Sequence, residues 1–237
     1  MQVLRTAADR GHVKTGWLDS HHTFSFGQYH DPSWMGWGPL RVINEDRVAP
    51  GAGFPPHGHA NMEIISYVLE GGLAHRDNNG GEGVLGPGEL QWMGAGHGIE
   101  HSEFNASKDA PVHFLQIWIQ PDRVNAPPAH AQQVFDPQAR RGRWATLASP
   151  DGAGGSLAIR QQASLHGVRL GDGESASFAL KPDRRYWLHL AQGAAEVDGR
   201  ALSAGDAIGY VDEAGELLVE GAAGDAIADV LLFDLPV

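Results

Sequence analysis

The chain has 237 residues, no cysteine, and a formal net charge of −12 from 17 Lys and Arg against 29 Asp and Glu. Disulfides, thiolate metal sites and cysteine nucleophiles are excluded, and so acidic a chain lacks the basic footprint of a direct nucleic-acid binder. The 32 Gly and 14 Pro sit in many short clusters, which favours numerous turns between short strands over long helices. In chain order, residues 1–14 are polar and carry no apolar core of the kind a secretory leader needs, so a cytoplasmic location is expected. No apolar run reaches the ~20 residues of a membrane span. Strand-like runs follow at 40–44, 63–69, 83–85, 89–93 and 113–120, rich in β-branched and aromatic residues. Between 121 and 143 the pattern breaks at Asn125-Ala126-Pro127-Pro128 and Asp136-Pro137, and the best short helical candidates, 128–133 and 137–141, fall here. Strand-like runs resume at 157–161, 176–180, 186–190, 194–197 and 230–235. The reading predicts two β domains, 1–125 and 144–237, joined by a linker at 126–143.

The halves read as degenerate copies of one unit. Glu70-Gly71-Gly72 leads into a strand, a loop and Pro87-Gly88-Glu89, as Gln192-Gly193-Ala194 leads into a strand, a loop and Ala204-Gly205-Asp206. Setting Gly71 on Gly193 and Gly88 on Gly205 brings His57 and His59 near Ala179 and Lys181. His101 then falls near Leu218, and Glu103 alone finds an acidic counterpart, Glu220. A site built on these residues is therefore expected in the first half only.

Two short patterns carry chemistry. His57-Gly58-His59 and His101-Ser102-Glu103 are both i, i+2 pairs of metal-ligand side chains. On a strand such residues share a face, so two adjacent strands would aim three imidazoles and a carboxylate at one point. That donor set suits a first-row transition metal better than calcium or magnesium. His97-Gly98-Ile99-Glu100-His101 also spells an inverted zinc-protease signature, but that motif needs a helix, and Gly96 and Gly98 argue against one. His21, His22 and His30 read as packing or surface residues, and so does His75. His113 reads equally as a cavity-lining or a buried, hydrogen-bonded side chain. Trp34, Trp37 and Trp92 are candidates for an aromatic wall, with core packing the commoner fate.

Gly51, His57-x-His59 and Glu63 follow the first cupin motif, with the closing glycine one place late at Gly71. Gly88 and Gly94-Ala95-Gly96 fit the second motif loosely, with its proline missing and its histidine displaced to His101. With Phe24-Ser25-Phe26, the run Gly38 to Asp46, Pro56-His57-Gly58-His59, Tyr67-Val68-Leu69-Glu70-Gly71, Gly96-x-Gly98-Ile99-x-His101-Ser102-Glu103-Phe104-Asn105 and His113 to Trp118, the sequence resembles the pirin family of the cupin superfamily. The resemblance is dense over residues 1–125. It implies an all-β bicupin of two jelly-roll-like barrels, the C-terminal one degenerate and metal-free. It also implies one divalent transition metal per chain, Fe(II) first among Fe, Mn, Ni, Co and Zn, held by His57, His59, His101 and Glu103. Glu63, ligand in most cupins, would stand behind that set or replace a member of it. Bacterial pirins resemble quercetin 2,3-dioxygenases, which open a flavonol with O₂ and release carbon monoxide, with Glu103 or Glu63 as the proton acceptor here. The alternative the resemblance implies is an iron redox-sensing regulator that binds a protein partner without turnover. A cupin that stores or isomerises a small metabolite is a third. A monomer is expected.

Overall fold

The computed structural model describes residues 1–224 and 226–237. Among them there is no α-helix; the helical turns are 3-10 turns at Ala7–Asp9, Pro137–Arg140 and Ala153–Gly155. No helix is long and apolar enough to cross a membrane. The chain divides into two compact units, Gly11–Phe135 with Ile159–Gln161, and Met1–Arg10 with Asp136–Ala158 and Gln162–Val237.

The first unit pairs a seven-stranded with a four-stranded sheet, antiparallel throughout. The larger runs Ala129–Val134, Glu89–Gly94, Glu63–Glu70, Val112–Ile119, Leu40–Val48, Leu18–His22, Gly11–Lys14. The smaller runs Gly53–His59, Ile99–Asn105, Leu73–Asp77, Glu82–Leu85. Glu63–Glu70 is EIISYVLE and buried on both faces to its last residue, as a central strand covered on two sides must be. Ile99–Asn105 alternates buried and open positions, which turns Ile99, His101, Glu103 and Asn105 inward.

The second unit has the same sheet sizes and central strand order, except that its edge strand Leu157–Ala158 pairs parallel with Ala145–Ser149. Its large sheet runs Gln2–Arg5, Ala207–Val211, Arg184–Gln192, Ala228–Pro236, Ser164–Leu170, Ala145–Ser149, Leu157–Ala158. Its small sheet runs Ser175–Leu180, Gly215–Gly221, Ala194–Val197, Arg200–Ser203. Gly71 and Gly193 take the same left-handed turn, at φ 78° and 75°, after equivalent central strands. A Cβ at either would lie under 3 Å from backbone oxygen of the neighbouring strand, Pro111 or Ile227, so glycine is required twice.

Several expectations change here. The segment expected to be helical at 128–133 is the edge strand Ala129–Val134 of the first unit's sheet, and 137–141 is one 3-10 turn, Pro137–Arg140. Gln2–Arg5, assigned by sequence to the first half, pairs with Ala207–Val211 in the second unit. A run of four residues says nothing of a partner two hundred positions away. Only Leu157–Ala158 of 157–161 is strand.

The register also shifts the internal alignment. Glu103 pairs with His75 as Val219 pairs with Val197, and His101 pairs with His57 as Leu217 pairs with Phe178. Counterparts of His57, His59, His101 and Glu103 are thus Phe178, Leu180, Leu217 and Val219, each one place from those counted along the sequence. Glu220, the expected acidic match, is exposed, because a one-residue slip reverses every face.

Candidate metal centre

The interior of the first barrel is layered. Its floor is apolar: Val48, Val68, Leu73, Leu85, Val112 and Phe114. Two residues further along each strand the same face turns polar, with Asp46, Ser66, His75, Gln91, Glu103 and Gln116 all buried. Beyond that layer, Ile64, Met93, Ala95 and Ile99 form an apolar rim with Trp118 packed on it.

His57, His59 and His101 meet at this rim, one ring nitrogen of each lying within 4.8 Å of the others. The pairing of His57 with His101, and of His59 with Ile99, is what brings them together. His59 Nε2 stands 3.0 Å from His101 Nε2. The rings are mutually tilted, by 84°, 51° and 63°, so their lone pairs converge instead of running parallel. His57 Nδ1 donates to the carbonyl of Pro55 at 2.9 Å. A carbonyl only accepts, so the free lone pair of His57 is on Nε2. Burial, then the neighbouring imidazoles, lowers both His59 and His101 to a pKa of about 4. Both rings are neutral at pH 7, the form a cation requires.

Glu103, two residues after His101 on the same strand, is 2 % exposed, and its carboxylate is not among the atoms that cluster within 4.8 Å. Gln116 Nε2 donates to its Oε2 at 2.7 Å, and Ser66 Oγ lies 2.9 Å from its Oε1 and 3.0 Å from Gln116 Oε1. Ser66 has one hydroxyl proton for two acceptors. That proton goes to Glu103 Oε1 or to Gln116 Oε1, one at a time. Burial raises the Glu103 pKa, and the hydrogen bonds from Gln116 and Ser66 work against that rise.

Glu63 does not join this group. His59 ends one strand and Glu63 begins the next; between them Asn61 takes a left-handed φ of 51°, which resets the alternation assumed from sequence. Glu63 occupies the opposite face of its strand from Ile64 and Ser66, where Trp92 Nε1 and the Arg160 amide each donate to its Oε2 at 2.8 Å. It is a buried structural acceptor, and Trp92 is its donor, not a wall of the site. The aromatics beside the histidines are Trp118, 4.9 Å from the His59 ring, and Phe26, 5.3 Å from Trp118. Trp118 was legible in the sequence as the next inward position after Gln116; Phe26 lies outside regular structure and had no such signal.

Other histidines are accounted for. His75 faces inward but is held by Gln91 at 2.9 Å and Gln132 at 3.2 Å. His113 binds Glu45 at 2.9 Å on the opposite sheet face, His22 binds Asn44 at 2.8 Å, and His30 is exposed. His97 sits in the Gly96–Gly98 turn, with no helix to carry a protease motif. His12, Asp19 and His21 also cluster, but the two rings stack at 10° and Lys14 occupies Asp19 at 2.8 Å. Parallel rings do not aim their lone pairs at one point.

Asp46, next in the polar layer, accepts from the Ser20 hydroxyl and has its pKa raised to about 7 by burial. A carboxyl raised above its unfolded value near 3.8 stabilises the fold while protonated; that contribution is lost as pH rises through 7. The lowered histidines act oppositely, but only below 6.5. The metal-free protein is therefore expected to lose about 1 kcal/mol between pH 6.5 and 8. Asp46→Asn should flatten that slope in denaturant titrations; an unchanged slope would reject the assignment.

The profile described as Pirin matches residues 3–119, and that described as Quercetinase C-terminal cupin domain matches 146–235. Quercetin 2,3-dioxygenase of Escherichia coli K12 is 41% identical over 236 residues, covering 100% of this chain and 99% of the relative. A pirin-like protein of Caulobacter vibrioides is 43% identical over 206 residues, covering 86% and 88%. The crystal structure of a bacterial pirin from Escherichia coli in complex with nickel(II) superposes with a TM-score of 0.92 at 39% identity, over 100% of this chain and 99% of that one.

Proposed function

This chain belongs to the pirin family and has its bicupin fold, and we propose that it is a metal-dependent dioxygenase that opens flavonols such as quercetin with O₂. The observation that carries this reading is the convergence of three imidazoles beside an apolar and aromatic rim. The donor set fits a divalent transition ion. Metal–nitrogen bonds of about 2.0–2.1 Å place adjacent ligand nitrogens about 3 Å apart, and the two Nε2 atoms of His59 and His101 stand at 3.0 Å. Fe(II) is the ion assigned, and a nickel(II) complex of a similar pirin supports a divalent site in this fold. His57, His59, His101 and Glu103 would hold it. The C-terminal barrel is assigned no metal, since all four counterparts are apolar.

Once bound, the ion supplies Lewis acidity that lowers the pKa of a substrate hydroxyl. The chain's own groups do the rest. Trp118 and Phe26 offer aromatic faces to a planar substrate. Ile64, Met93 and Ile99 add apolar surface beside it. Glu103, buried and oriented by Ser66 and Gln116, is the group assigned to take the hydroxyl proton. The reaction is assigned to a cytoplasmic monomer, with no direct nucleic-acid contact.

The test joins metal analysis with quercetin turnover on one purified sample, moved from anaerobic to aerobic buffer. About one metal per chain is expected, with O₂-dependent loss of quercetin absorbance that His57→Ala abolishes. Stoichiometric metal without turnover, after reloading with Fe, Mn, Ni and Co in turn, would reject the enzyme in favour of the metal-sensing regulator.

A further inference from the structure

Asp77 ends the strand Leu73–Asp77 and stands directly opposite His101 in the register, on the same inward face. Directly opposed residues of an antiparallel pair hold their Cβ atoms about 4.5–5.5 Å apart. Asp77 is 8 % exposed. Its Oδ1 is committed, accepting from the amides of Asn79 at 2.8 Å and Gly81 at 2.9 Å. Its Oδ2 is buried and accepts from nothing. His101 shows the complementary defect: its Nε2 faces His59, while its Nδ1 is buried without an acceptor. Both residues line one crevice of about 200 Å³. Two buried polar atoms without a partner, on directly opposed residues of one strand pair, are costly unless something compensates them.

Resting on the reading of His101 as a metal ligand, we infer that Asp77 is its positioning residue, accepting the Nδ1–H of His101 across this crevice through one water. The consequence is chemical. With its proton held on Nδ1, His101 keeps the Nε2 lone pair free and aimed at His57 and His59. Without that acceptor, the proton is free to move to Nε2 and the ring presents N–H where a lone pair is needed. His57 obtains the same service from the Pro55 carbonyl, so the two ligands are oriented by different acceptors, one backbone and one side chain. The second barrel needs no such device: Leu217 stands where His101 does.

Asp77→Asn separates the two oxygens. Its carbonyl can still accept from the Asn79 and Gly81 amides, while its NH₂ cannot accept from His101. We expect metal affinity, measured with Ni(II) or Fe(II) against a competing chelator, to fall about 10–100-fold, with the unfolding midpoint of the metal-free protein close to wild type. Nitrogen-15 spectra of the metal-free imidazoles should show His101 leaving its Nδ1–H tautomer, which a merely structural role would not move. Asp77→Ser, whose hydroxyl can still cap the turn, should show the same two changes if the Asn variant does not fold. Wild-type affinity and tautomer in a folded Asp77 variant would overturn the inference and leave the ligand assignment standing. Wild-type affinity in His101→Ala would overturn the ligand assignment, and the inference with it.

Discussion

His101→Ala is expected to lower metal affinity by more than about 100-fold, the upper end of what losing a mere outer-shell partner costs, while His30→Ala retains the wild-type metal content. The two variants remove the same side chain from opposite environments. His101 is 4 % exposed, with its Nε2 3.0 Å from that of His59; His30 is exposed, outside any strand. Removing His101 leaves His57 and His59 on one strand, with Glu103 tied to Ser66 and Gln116, and three converging imidazoles become two. The fold should tolerate the change, because the lost ring is neutral and its pKa of about 4 shows burial working against its charged form. Elemental analysis after dialysis against a weak chelator reads the outcome directly. Equal metal content in both variants would sink the assignment of His101 and require another set of ligands.

How much of this was legible in the sequence depended on how local each signal was. The i, i+2 pairs predicted which side chains share a strand face, and the structure brings His57, His59 and His101 together. The repeat of Gly-turn spacings predicted two barrels of one plan. Glu63 misled because parity was counted through residues 60–62, where the left-handed Asn61 interrupts it. Glu220 misled for a related reason: the stretch from Gly88 to Glu103 is one residue longer than that from Gly205 to Val219, and a single offset hides the difference. Asp77 and Ser66 gave no motif, and Gln116 no role within its motif, since what they do depends on strand register between distant segments. The strand Gln2–Arg5 was missed on the same ground.

The register makes one further comparison possible, and its expected effect is large. At matched positions the two barrels exchange polar for apolar residues: Asp46 for Val168, Ser66 for Leu188, His75 for Val197, Gln91 for Ile208, Glu103 for Val219, Gln116 for Leu232. The second set belongs to one continuous apolar cluster. Val168→Asp would place a carboxyl where the first barrel carries one, on the same backbone, with none of its partners. The expected cost is about 3–5 kcal/mol, that of leaving a buried charge uncompensated, set against a typical total stability of about 5–15 kcal/mol. Asp46→Val, the reverse exchange, strands only the Ser20 hydroxyl and should cost about 1–3 kcal/mol. Denaturant titration of metal-free protein at pH 7.5 measures both. A cost below about 1 kcal/mol for Val168→Asp would mean that the second barrel's interior hydrates freely. The apolar packing would then be no reason for assigning it no metal. A large cost for Val168→Asp beside a small one for Asp46→Val would show that an apolar interior is the more stable filling of this backbone. The polar layer under His57, His59 and His101 would then answer to the chemistry of the site and not to the stability of the barrel.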